Sequence, residues 1–143
     1  MSRGTTLLEL LLVLVILSII TALTVPAIGS LRDHLVVDQM ARLVAGSHAR
    51  ARLIASVERR VTLLTLSADS VVIRAVESQT DTVERWRGEG PAKQQVRVSG
   101  FPRTITFAPS GIAFGVANGS YRFDRGTASK QVIVSRYGRV RLQ

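Results

Sequence analysis

Cysteine is absent from the 143 residues. That excludes disulfides, thiol catalysis, iron–sulfur clusters and cysteine zinc sites, and it leaves packing alone to hold the fold. Histidine is nearly absent. His34 and His48 stand without a carboxylate or second histidine at ligand spacing, so both read as polar helix positions, with no metal or cofactor implied. Acidic residues are scarce, ten Asp and Glu against nineteen Lys and Arg, for a formal net charge of +9. A balance of that sign suits an anionic partner such as nucleic acid, lipid headgroups or an acidic protein; it equally serves plain solubility. Also missing are a glycine-rich phosphate loop and a Gly-x-Ser-x-Gly elbow. Glu77, Asp81, Glu84 and Glu89 lie in a charge-balanced stretch rather than a paired site. The expectation is a protein that is not an enzyme.

What is abundant is an apolar run near the start. Leu10 to Val25 carries no charge, and Leu7 and Leu8 extend it on the other side of Glu9. A membrane-spanning helix needs about 20 mostly apolar residues. Glu9 breaks the run, and a carboxylate inside such a segment calls for a partner. A cleaved secretory signal fits poorly, because the run exceeds the usual length of about 7–15 residues and no small-x-small exit site is evident. A plain anchor would leave Glu9 without a role.

The stretch Gly4-Thr5-Thr6-Leu7-Leu8-Glu9-Leu10-Leu11 resembles the class III signal of type IV pilins and type II secretion pseudopilins. The resemblance implies that prepilin peptidase cuts between Gly4 and Thr5 on the cytoplasmic side and methylates the new amino terminus. Thr5 stands where that family usually has Phe. The helix is then kept, Glu9 becomes the fifth residue of the mature chain and the family's filament-assembly glutamate, and Pro26 falls at the family's helix-kinking proline. Loss of Arg3 with the leader would leave +8. The physical sense is that the Thr5 amine of one subunit pairs with the Glu9 carboxylate of its neighbour, since an unpaired carboxylate in an apolar surround is far costlier than a paired one.

Beyond Pro26 the pattern stays helical to about Glu58. Val36, Met40, Leu43, Val44, Ser47, Ala51 and Ile54 share one face; Asp38, Arg42, Ala49, Arg52 and Arg59 share the other. Short β-rich runs follow. They read as strands at Val61–Leu66, Val71–Val76, Thr82–Arg87, Gln95–Val98, Thr104–Phe107, Ile112–Val116, Tyr121–Asp124, Gln131–Ser135 and Arg139–Leu142. Asn118-Gly119 reads as a primed hairpin turn. The expected architecture is α+β: residues 1–4 a leader, 5–26 a transmembrane and filament-core helix, 27–60 its amphipathic half, and 61–143 a small, mostly antiparallel β domain.

The C-terminal half adds to the resemblance. Ile105-Thr106-Phe107-Ala108-Pro109-Ser110-Gly111, Gly119-Ser120-Tyr121-Arg122-Phe123, Val132-Ile133-Val134-Ser135 and Gly138-Arg139-Val140-Arg141 are similar to the GspH/FimT group of minor pilins, whose frequent cysteine pair is lacking here. Two functions are implied. GspH-like proteins are assembly subunits of the type II secretion pseudopilus, whereas some FimT-like proteins bind DNA for uptake in natural transformation. Either implies a single-pass protein of the bacterial inner membrane with a periplasmic domain, partnered by other pilin subunits. In the DNA-binding members the Gly-Arg-x-Arg tail supplies the contact, which here is Arg139 and Arg141. Charge is concentrated at that end: from Arg122 onward six basic residues face one acid, Asp124. Arginines at i and i+2 on a strand share a face, and Arg136 and Lys130 are close enough in sequence to widen the patch around double-stranded DNA. The competing reading is a solvated edge strand kept charged against aggregation.

Overall fold

The computed structural model describes residues 6–78, 80–114, 118–135 and 139–143. It shows an α+β architecture: one long N-terminal helix followed by two four-stranded antiparallel sheets. Helix α1 spans Leu7–Glu58, as its sequence predicts. The chain divides into two compact units, Met1–Arg32 and Asp33–Gln143.

In the first unit every described side chain is exposed. An 18-residue window of α1 has a mean hydropathy of 2.7 and no buried share, so by length and composition this stretch can cross a membrane. Thr6 caps it: its Oγ1 accepts the Glu9 N–H at 3.3 Å. Thr21 and Thr24 turn their hydroxyls back onto the carbonyls of Leu17 and Ile20 at 2.8 and 2.7 Å, so they add no unsatisfied donor to the apolar run. Pro26 lies inside α1, which continues through it.

In the second unit, β1 (Thr62–Leu66), β2 (Ser70–Val76), β3 (Thr82–Glu89) and β5 (Arg103–Phe107) form one sheet in the order β3-β2-β1-β5. β4 (Arg97–Ser99), β6 (Gly119–Arg125), β7 (Ala128–Val134) and β8 (Val140–Leu142) form the other, in the order β4-β6-β7-β8. Strand alternation buries one face of each. Leu64, Leu66, Ile73, Ile105 and Phe107 come inward from the first sheet; Tyr121, Phe123, Val132 and Val134 come inward from the second. They meet α1 at Val37, Met40, Val44, Ala51 and Ala55.

The helix face is broader than its 3.6-residue pattern indicated. Val36, Leu43 and Ile54 sit at its margin, and Val37, Ala41, His48 and Ala55 are buried in their place. Residues of both sheets join α1 in one core, and that widens the arc of helix removed from water. His48 is thus a correction: it is 4% exposed rather than a polar surface position, while His34 is exposed.

Three further expectations change. Pro91 opens a 3-10 turn, Pro91–Gln94, which delays the next strand to Arg97. Ile112–Val116 does not read out as a strand: Ala113 makes one isolated bridge to Phe107, and residues 115–117 lie outside the described set. Asn118-Gly119 does not turn a hairpin, because β6 begins at Gly119 and pairs with β4 and β7 rather than with the preceding run. The tight hairpin is β6–β7, where Arg125 pairs with Ala128 across Gly126 at φ 53.

Candidate functional site

Strand alternation decides which cations share a surface. On β6 and β7 the buried residues Tyr121, Phe123, Val132 and Val134 point inward, so Ser120, Arg122, Asp124, Gln131 and Ile133 point outward. Register then carries the outer face across the sheet. Arg97 stands opposite Asp124, Arg122 opposite Gln131, and Ile133 opposite Arg141. Arg139, two residues before Arg141, lies on the same side. Together with Ile133 and Ser135 the two arginines line a hollow of about 620 Å³.

Ion pairing separates the arginines further. Among the described residues, Arg42, Arg60, Arg85, Arg87, Arg122 and Arg125 each reach a carboxylate within 4.0 Å. Arg85 serves Glu58 and Glu77, and Arg87 holds Glu84 through two hydrogen bonds of 2.9 and 2.6 Å. Asp124, the carboxylate on the outer face of the second sheet, is held below the usual carboxylate range by Ser129 first and then by Arg122. Arg139 and Arg141 have no such pair among the described residues. Their environment offers the Ser135 hydroxyl, which accepts the Arg139 N–H at 3.1 Å. Side-chain spacing at i and i+2 on an extended strand is about 6.5–7 Å, and two unpaired guanidinium forks at that spacing can grip anionic oxygens bidentately.

Lys130 does not join them. It occupies an inward position on β7 and its ammonium is bonded to Asp38 on α1, which Arg42 also holds at 2.6 Å. The Lys130 bond, followed by the Arg42 bond, lowers the Asp38 carboxyl from its ordinary value. Lys130 is therefore a tie between sheet and helix on the face opposite Arg141. Arg136 lies outside the described residues, as do Gly4 and Thr5. Glu9 is exposed in the first turn of α1, with no ion pair among the described residues.

A second hollow adjoins the first. It is a cleft of about 280 Å³ whose lining includes His48, Ala49, Arg52, Ser56 and Leu53 of α1, Ile105 and Phe107 of β5, Ala113, Val134 and Ser135. Ser135 therefore belongs to both. Burial, with a smaller contribution from the charge of Arg103, pushes the His48 imidazole down to about 4, so it is neutral near pH 7. Its Nε2 has no hydrogen-bond partner among the described residues, and neither has the Tyr121 hydroxyl, whose ring centroid is 5.9 Å from that of His48. Burial raises the Tyr121 phenol. Phe114, next in sequence to the lining residue Ala113, is exposed.

Sequence reasoning singled out Arg139 and Arg141 but missed Arg97 and Arg122, because strand pairing between segments 25 residues apart is not written in local pattern. It also missed His48, whose flanks Ser47 and Ala49 read as polar or small. Among the described residues there is no group of three His, Cys, Asp or Glu able to hold a metal ion. Comparison with known protein families, curated proteins and solved structures finds no match to this chain.

Proposed function

We propose that this chain is a minor pilin or pseudopilin subunit, built into a type II secretion pseudopilus or a type IV pilus and acting by assembly rather than catalysis. In this reading the helix of residues 5–26 anchors it in the bacterial inner membrane, the C-terminal domain is periplasmic, and prepilin peptidase processes it at Gly4. The observation that carries the reading is Glu9: a carboxylate in the first turn of α1, at the head of its uncharged stretch to Val25, without a cation of its own among the described residues. Such a group calls for a cationic partner, and in this reading a neighbouring subunit's amino terminus supplies it. Glu9→Leu tests it. The variant inserts into the membrane at wild-type levels yet is lost from sheared filaments; incorporation equal to wild type refutes the reading.

A second reading, DNA binding for uptake, is favoured by one specific observation: Arg139 and Arg141 have no carboxylate partner among the described residues and line one hollow beside the edge of the second sheet. Contacts of this kind recognise the phosphate backbone, and log K falls by about 0.9 per neutralised phosphate with log salt. An Arg139→Ala/Arg141→Ala double variant lowers that slope by about 2 if each arginine meets one phosphate. An unchanged slope leaves the two arginines as a charged strand edge.

A further inference from the structure

Two hollows of different chemistry meet at Ser135. On one side lie Arg139 and Arg141, cationic and unpaired among the described residues. On the other lies the cleft, with Phe107 and Ile105 as apolar walls and Arg52, Ser56 and His48 as polar lining. Ser135 and Arg139 are tied by two hydrogen bonds, one between backbones from the Ser135 N–H to the Arg139 carbonyl at 2.9 Å and one from the Arg139 N–H to the Ser135 Oγ at 3.1 Å, so the hollows are neighbours by construction. Among the described residues, no carboxylate lines either one.

A ligand that used both would carry anionic oxygens next to a planar, largely apolar body rich in acceptors. We propose that the cleft takes one nucleobase of a single-stranded nucleic acid whose adjoining phosphates lie on Arg139 and Arg141. This rests on the second reading above and specifies its ligand. The cleft volume of about 280 Å³ suits one ring system, being just below the usual range for whole small-molecule ligands, about 300–1,000 Å³. The guanidinium of Arg52 and the hydroxyl of Ser135 donate to base carbonyls and ring nitrogens, while the Ser56 hydroxyl, which gives its proton to the Leu53 carbonyl, can accept from a base amine. A duplex meets the arginines equally well but keeps its bases stacked, and extracting one is costly. The acidic-protein alternative has less to match it, since among the described residues Arg52 is the one cation that lines the cleft, against ring and aliphatic walls.

The test uses the full chain in detergent micelles and fluorescence anisotropy at about 0.1 M salt, where backbone contacts are not yet screened out. Three probes are compared: a 12-nucleotide thymidine strand, an abasic strand of the same length and charge, and a 12-base-pair duplex. The expected result is that the thymidine strand binds about tenfold more tightly than the abasic one, the size of a single stacking contact. Ala49→Leu narrows the cleft from an exposed helix position at a small helix-propensity cost, Leu ranking next to Ala. It removes the tenfold preference and leaves abasic and duplex binding unchanged, whereas Arg139→Ala/Arg141→Ala weakens all three probes. Equal binding of thymidine and abasic strands overturns the cleft assignment while leaving backbone recognition standing. So does a preference that survives Ala49→Leu. Absence of binding to every probe overturns the underlying reading as well.

Discussion

Acidification from pH 8 to pH 5 should destabilise the C-terminal domain through one residue, His48. The imidazole is 4% exposed, lies between Phe107 and Tyr121 with ring centroids 6.3 and 5.9 Å away, and feels the Arg103 charge. In the fold it titrates at about 4, below the 6.5 of an unperturbed histidine. The folded state thus binds fewer protons than the unfolded state between these values. The contribution is fully present above pH 6.5 and is lost as pH falls toward 4. The whole shift is worth about 3 kcal/mol, and about 2 kcal/mol is already gone at pH 5. For a domain of this size that lowers the melting temperature by about 8 °C. Trp86, the single tryptophan, sits at the margin of the core with Arg50 4.9 Å from its ring, so its fluorescence reports the domain's unfolding. His48→Leu removes the titrating group at similar volume and should flatten the pH dependence between 6.5 and 5. Parallel loss of stability in wild type and His48→Leu over that range would refute the argument and assign the acid sensitivity elsewhere.

Three other substitutions follow from the same structure. Tyr121→Phe removes a buried hydroxyl that has no partner among the described residues; thermal melts should show no loss, and a gain of up to about 1 kcal/mol. Gly46→Ala places a methyl group on α1 where nothing lies within 4 Å, and the melt should rise by about 0.5–1 kcal/mol from helix propensity alone. Gly111→Ala goes the other way: its φ of +78 and an approach of 3.1 Å to Arg52 Cγ make the same methyl group unfavourable, and chemical denaturation should register a loss of about 1–2 kcal/mol.

Much of the molecule was legible before any coordinates. The apolar run from Leu10 to Val25 and the amphipathic stretch after Pro26 predict one helix to Glu58, because helical periodicity is a local property and needs no tertiary partner. Most strands were legible for the same reason. The errors sit where local signals compete. Asn118-Gly119 has the composition of a hairpin turn, yet among the described residues the run before it makes one isolated bridge, to Phe107, and β6 takes other partners. Pro91 favours the start of a 3-10 turn over an immediate strand.

The sequence by itself determined the segment able to cross a membrane, the carboxylate at Glu9, the excess of arginine and the period-2 pairing of Arg139 with Arg141. Each follows from spacing along one element. Tertiary structure alone decided that Lys130 turns inward to Asp38, that Arg97 and Arg122 share a face with Arg141, and that His48 is stripped of water beside Tyr121. The physical reason is the same in each case. Which strands become neighbours, and in what register, is set by burial of both sheets against one helix, and a one-residue change of register would send every one of these side chains to the opposite face.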